Sequence, residues 1–229
     1  MGTAKLRAPA GFLLPIPQSP VVRKCLNCKR LTPQITRIKQ AVTIDEIPPN
    51  SLMRARDPCW SSTGFSLGVD LGSSRTGLAI SKGFSFRPLM VLGLKGQKLE
   101  DQLIDIAQKQ EVDEFIVGLP LSSDRKETPQ SNKVRSVVGR LALRAAERGW
   151  RVYLQDEYGT SSEAMDHMIT MGLGRSTRQE KCDAYAAVML LERYFSMSGD
   201  GVELVVPKQP ELQIKLRKTS SIGTDVFLD

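Results

Sequence analysis

Three carboxylic acids in this 229-residue chain stand where chemistry could be done. Asp70 closes the apolar run Ser66-Leu-Gly-Val-Asp70 and precedes the turn Gly72-Ser-Ser. Glu157, with Asp156 beside it, follows the run Trp150-Arg-Val-Tyr-Leu154. Asp183 precedes Ala186, Ala187, Leu190, Leu191 and Tyr194, which form the apolar stripe of a helix. The spacing points its carboxylate toward the buried side of that helix. Burying a carboxylate is costly unless it is paired or bound to a metal. A second reading of Asp183 is an N-cap or first-turn acid that complements the helix dipole.

Basic side chains are grouped near these acids. Arg125 and Lys126 follow Val117-Gly-Leu-Pro120, and Arg175, Arg178 and Lys181 run up to Asp183. Arg140, Arg144 and Arg148 make one helical stripe, with Lys133 and Arg135 upstream. Such residues can position a nucleic acid through its phosphates without reading sequence, or simply face solvent. His167, the single histidine, reads as a surface or boundary residue, and Met165, Met168 and Met171 as core packing.

The elements that must carry these residues follow from periodicity. Residues 66–71 and 75–81, joined by a tight turn, read as an antiparallel hairpin, and 88–93 as a third strand. Leu99, Leu103, Ile106 and Ala107 recur at helical spacing, predicting a helix over 98–110. Glu114–Gly118 is nearly continuous in apolar residues, as in a buried parallel strand. Residues 131–148 read as a helix, 150–154 as a strand, and 160–171 and 179–197 as helices. The order β-β-β-α-β-α-β-α-α predicts an α/β fold, a mixed five-stranded sheet with helices on its faces. Ligand sites in such sheets lie beyond the strand ends, where Asp70 and Glu157 fall.

Composition restricts the classes of function. The chain carries 32 Lys+Arg against 25 Asp+Glu, a formal +7. Residues 1–60 alone hold ten basic and three acidic residues. The rest of the chain is therefore neutral, and the basic character says nothing of nucleic-acid binding by the folded part. No apolar run approaches the roughly 18–20 residues of a membrane span, and four cysteines are too few for a disulfide framework. Residues 1–44 contain no acid and eight basic residues, which reads as an organelle transit peptide, of chloroplast or alternatively mitochondrial type, or as a disordered basic arm. Cys25 and Cys28 form a CxxC without the second pair that zinc would need. The expected organisation is a leader over 1–60, a domain over 62–198 and a flexible tail over 199–229. Within that tail, Val202–Val206 has the character of a short strand.

Asp70-Leu-Gly-Ser-Ser-Arg-Thr-Gly77, Ile116-Val-Gly-Leu-Pro120, Asp156-Glu157 and Cys182-Asp-Ala-Tyr-Ala-Ala187 occur in this order on the predicted frame. Together they resemble the YqgF (RuvX) family of the ribonuclease H-like superfamily over about residues 66–195. Its members are described as Holliday-junction resolvase-like proteins and as nucleases that process the 5′ end of pre-16S ribosomal RNA. The resemblance implies a ribonuclease H-like fold with Asp70, Glu157 and Asp183 as catalytic metal ligands. It implies Mg²⁺ or Mn²⁺ as cofactor, and precursor rRNA or branched DNA as partner. Hard oxygen ligands suit Mg²⁺, and paired ions assist in-line phosphodiester hydrolysis. Arg75 and Gly77 match the basic residue and glycine after the first turn. Arg75, Arg125, Lys126, Arg175, Arg178 and Lys181 are the expected nucleic-acid contacts, and a resolvase would require a two-fold dimer. Where the family continues Asp-Glu-Arg-Leu-Ser-Thr, this chain has Asp156-Glu-Tyr-Gly-Thr-Ser161, with Tyr158 in place of the arginine. Where related resolvases carry a carboxylate at the end of the 114–118 strand, this chain has Gly118, so Glu157 must supply the third ligand from the neighbouring strand.

Two other readings remain. Asp70-x-Gly-x-x-x-x-Gly77 is similar to the phosphate loop of actin-like sugar kinases and chaperone ATPases, but those need a second such domain and no second copy occurs. A catalytically weak nucleic-acid-binding or ribosome-assembly protein would retain the fold without the Tyr158 position's arginine.

Overall fold

A computed structural model describes residues 42–56, 64–83 and 85–221, with the side chains of 219–221 left aside. The chain runs α1 (Asn50–Arg56), β1 (Phe65–Leu71), β2 (Thr76–Lys82), β3 (Ser85–Leu92), α2 (Gln97–Lys109) and β4 (Val112–Leu119). It continues α3 (Pro129–Ala146), β5 (Arg151–Asp156), α4 (Thr160–Thr170), α5 (Arg175–Ser196), β6 (Glu203–Leu204) and α6 (Pro210–Ser221). Cys25 and Cys28, the acid-free segment up to residue 41 and Cys59 lie outside the described residues.

The six strands order as β3-β2-β1-β4-β5-β6. The β1–β2 and β2–β3 pairs are antiparallel, β1–β4 and β4–β5 parallel, and β5–β6 antiparallel. This is the predicted mixed α/β sheet with helices on its faces, with one strand more than the five expected. The sixth is two residues long and pairs Tyr153 with Leu204, inside the segment that sequence marked as a possible short strand.

Strand alternation sorts the core into two layers. Leu67, Val69 and Leu71 of β1, with Phe115 and Val117 of β4, pack under α2 and α3 through Leu99, Leu103, Val134, Val138 and Leu141. On the other face Ala79, Ile116 and Tyr153 pack under α4 and α5 through Ala164, Ala187, Leu190, Leu191 and Tyr194. Helix α3 starts at Thr128, whose hydroxyl accepts from the Ser131 N–H while Ser131 Oγ accepts from the Thr128 N–H. That reciprocal cap, with Pro129 following, sets the helix start.

The stripe Arg140, Arg144 and Arg148 serves the fold. Arg140 Nε lies 2.7 Å from Glu100 Oε1 and Arg144 from Asp101 Oδ1 at 2.6 Å, tying α3 to α2. Arg148 donates to the Arg144 carbonyl and covers the Trp150 ring. Arg135 bridges Glu127 and Glu203. Met168 is fully buried as expected, whereas Met171 is exposed and His167 faces solvent against the Tyr185 ring.

Two boundaries differ from expectation. Residues 47–56, part of the presumed leader, belong to the folded body. Ile47 is completely buried, its carbonyl accepts from Tyr153 Oη, and Arg151 donates to the Pro48 carbonyl and to Asn50 Oδ1. The Asn50 N–H donates to Glu114 Oε2 at 3.0 Å, and the Ser51 N–H to Tyr194 Oη. Glu114, fully buried, also accepts from Ser66 Oγ at 2.6 Å and Tyr194 Oη at 2.8 Å, and faces Arg151 across the β4–β5 register. The presumed loose tail contains α6, because Leu212 and Leu216 at i, i+4 give it an apolar side that covers Ile47 and Ala146.

Candidate active site

Asp70 is placed by the hairpin. The β1–β2 register sets it opposite Gly77, and opposed residues of an antiparallel pair share a sheet face. An added Cβ at Gly77 would stand 1.9 Å from the Asp183 carbonyl oxygen and 2.7 Å from the Ala184 nitrogen. The missing side chain is thus what lets α5 settle onto the sheet at Asp183, next to Asp70. Gly68 does the same two residues earlier in β1, where a Cβ would meet Leu191 and the Ala187 carbonyl.

Glu157 arrives from the other side. Its N–H donates to the Leu119 carbonyl at 3.2 Å, extending the β4–β5 ladder by one step. Its side chain folds back over β4, with Oε2 1.9 Å from where a Gly118 Cβ would be. The β1–β4 pairing ends at Val69 and Val117, one residue before Asp70 and Gly118. Asp70 therefore lies between two glycine positions. One admits the backbone of α5, the other the carboxylate of Glu157.

The electrostatics agree with this crowding. Burial, and then the charge of Asp183, push Asp70 from 3.8 up to about 6. Burial, then Asp70, then Asp156 push Glu157 from 4.5 up to about 8. Burial, then Asp183 and Asp70, raise the half-buried Cys182 thiol, which makes it a poor nucleophile. Glu157 Oε2 is buried without a hydrogen-bond partner. Asp183 Oδ2 also lacks a well-aligned hydrogen bond, although Arg75 Nε stands 2.8 Å away as its ion partner. Carboxylates this desolvated repel one another unless a cation stands between them.

Among the described residues no group of three or more His, Cys, Asp or Glu stands close enough together to hold a metal ion. A pre-formed cage is not what Mg²⁺ requires, since it binds through one or two carboxylates with waters and substrate phosphates. The unpartnered Glu157 Oε2 and the hard-oxygen donor set fit such an ion.

The expected nucleic-acid contacts separate into two groups. Arg75 is half exposed and occupied by Asp183 and the Gln179 carbonyl. Arg178 spends its guanidinium on the Leu173 carbonyl, closing the α4–α5 turn. Arg175 and Lys181 point to solvent from the first turns of α5. Arg125 and Lys126 stand exposed in the loop between β4 and α3, where the Lys126 ammonium lies 4.0 Å from Asp124 Oδ2.

Two further features shape the turn that carries Glu157, of which the glycine was visible in the sequence and the arginine was not. Arg193, late in α5, donates to the carbonyls of Asp156 and Tyr158 and to Glu163, fixing the turn that carries Glu157. Gly159 begins α4 at φ +83°, a left-handed conformation that few other residues adopt.

A family model described as Holliday junction resolvase, RuvX, matches residues 64–197, more than half of the chain. Curated relatives named "Putative pre-16S rRNA nuclease" are also similar to this chain. The one from Chlorobium phaeobacteroides is 32% identical and covers 58% of this chain and 93% of its own. That from Nitratidesulfovibrio vulgaris is 30% identical, covering 57% and 92%, and that from Cronobacter sakazakii 31%, covering 60% and 99%. Among solved structures, Thermus thermophilus RuvC in complex with a Holliday junction substrate is 16% identical with a TM-score of 0.41, covering 62% of this chain and 99% of that one. With its model matched from β1 to the end of α5, the chain belongs to the RuvX family.

Proposed function

We propose that this protein is a metal-dependent nuclease that hydrolyses phosphodiester bonds in structured nucleic acid, with the 5′ region of precursor small-subunit ribosomal RNA as its substrate. The observation that carries the reading is the position of Asp70, which feels the charge of Asp183 and itself raises Glu157. Two glycine positions admit the α5 backbone at Asp183 and the Glu157 carboxylate, and Glu157 Oε2 is buried without a hydrogen-bond partner. The names of the bacterial relatives supply the RNA half of the reading.

Asp70, Glu157 and Asp183 would hold Mg²⁺ or Mn²⁺, which when bound activates water and stabilises the leaving oxygen. Glu157, raised to about 8 by burial and then by Asp70 and Asp156, would have to give up its proton to serve as a ligand, so such a site would strengthen as pH rises. Arg75 pairs with Asp183 and would be available to a substrate phosphate if that carboxylate held an ion. Arg125, Lys126, Arg175 and Lys181 hold the phosphate backbone on either side. The acid-free basic segment 1–44 supports action in the chloroplast, with the mitochondrion as alternative.

A four-way DNA junction is the competing substrate, favoured by the description of the family model, and it would require a homodimer. The test is cleavage by the full chain of a labelled rRNA precursor and of a labelled four-way junction, in Mg²⁺, Mn²⁺ and chelator, beside the double variant Asp70→Asn, Asp183→Asn. We expect metal-dependent cutting of the precursor that the variant loses. Cutting of the junction alone would replace the RNA reading. Binding without cutting would leave a ribosome-assembly or nucleic-acid-binding role in place of the enzyme.

A further inference from the structure

Tyr158 is the one Phe, Tyr or Trp side chain left exposed among the described residues, at 57%. It immediately follows Glu157. Its backbone is held on both sides, the N–H donating to Asp156 Oδ1 at 2.9 Å and the carbonyl accepting from Arg193 at 2.9 Å. The same guanidinium holds the Asp156 carbonyl and Glu163. The ring therefore stands on a fixed base, at the edge of an open cavity of about 460 Å³ that Glu157 and the first turn of α4 also line. Ser161 and Ser162 in that turn are exposed, and their hydroxyls make no hydrogen bond among the described residues.

The ring itself selects the occupant. The turn that carries it is acidic in sequence, with Asp156, Glu157 and Glu163, and Arg193 is already engaged with it. A phosphate gains little from the ring itself, whereas an uncharged π-face stacks on it. A single ring in polar surroundings is also too small for a protein-docking patch. Base–aromatic stacking is indifferent to base identity but needs an uncovered base face. A base inside a duplex has both faces covered.

We propose that Tyr158 is a stacking platform for one unpaired nucleobase of the substrate strand beside the bond that is cut, with Ser161 and Ser162 hydrogen-bonding the adjoining sugar or phosphate. The proposal rests on the nuclease reading and deepens it. It makes the site select a single-stranded or everted nucleotide over a fully paired one.

The test is a binding cycle with the full chain in chelator. The probe is a fluorescein-labelled RNA hairpin bearing a single-stranded 5′ tail, with or without one abasic nucleotide scanned along the tail. We expect Tyr158→Ala to weaken binding roughly 10-fold, the size of one base–aromatic stack, and Tyr158→Phe to retain it. At one tail position the abasic substitution should weaken the wild type equally and the alanine variant no further. A purely structural role for Tyr158 would not produce that position-specific coincidence. Binding and cleavage that ignore Tyr158, or losses that simply add, overturn the platform while leaving the nuclease reading intact. Absence of cleavage in Mg²⁺ with the binding cycle intact overturns the nuclease and leaves Tyr158 stacking a base in a protein that binds RNA without cutting it. No binding of the probe by the wild type overturns both.

Discussion

Replacing Asp70 with Asn is expected to stabilise the metal-free protein above a definite pH. Asp70 is raised from 3.8 to about 6 by burial and by Asp183. Between those values the folded state keeps a proton that the unfolded chain has released, so stability falls as pH rises from about 4 to about 6. At 1.36 kcal/mol per tenfold change in proton affinity, the charged carboxylate costs about 3 kcal/mol at neutral pH and above. The amide removes the charge but stays buried and needs partners of its own, so about half, 1–2 kcal/mol, is the expected gain. In a domain of this size each kcal/mol moves Tm by about 2–4 °C. Thermal unfolding in chelator should place Asp70→Asn a few degrees above wild type at pH 8 and level with it near pH 4. Mg²⁺ or Mn²⁺ should reverse the order, since ligand at a hundredfold excess over Kd adds about 2.7 kcal/mol to the form that binds it. An Asn variant less stable than wild type at pH 8 in chelator, or one whose gain persists at pH 4, refutes the reasoning.

The two glycines beside Asp70 should differ in what they protect. Gly118→Ala meets the flexible end of Glu157, so we expect activity to fall at least tenfold with stability changed by less than about 1 kcal/mol, whereas Gly77→Ala meets the α5 backbone and should cost about 1–3 kcal/mol or more, both read by urea melts beside cleavage rates. A chain beginning at residue 57 loses the buried Ile47 and the Asn50 bond to Glu114, and should be destabilised by roughly 4 kcal/mol or more against one beginning at Val42. Equal melting temperatures for the two would contradict the placement of α1. Arg140→Ala should lower stability by about 1–2 kcal/mol through Glu100 while leaving the salt dependence of RNA binding unchanged, and Lys126→Ala should reduce that salt slope by about one with no change in stability.

The central elements were legible because their periodicities are clean. The hairpin, the apolar strand 114–118 and the stripe through Ala186, Leu190 and Tyr194 each follow from local pattern alone. Asp70 and Asp183 were recognisable because an acid at a strand end and an acid on a buried helix side both contradict simple packing. Their meeting was less visible, since it depends on Gly77 being an entry point for a helix, a tertiary fact that a lone glycine does not announce. The Asn50–Glu114–Arg151 cluster was missed although it left a trace, two acids at the start of β4 and a base at the start of the neighbouring β5. The register that sets them opposite each other is what converts the trace into a contact. Helix α6 was missed because its apolar side is narrow, Leu212 and Leu216 only, and its partner Ile47 lies in a segment read as leader.

The most direct test of the account is single-turnover cleavage of the rRNA precursor at saturating Mg²⁺ by the wild type and by Asp70→Asn, Glu157→Gln and Asp183→Asn, with binding measured alongside. If the three carboxylates act as one metal-holding set, each variant loses at least a hundredfold in rate, retains precursor binding, and the double variants lose little more than the singles. A variant at any of the three positions that cuts within twofold of the wild type would contradict it.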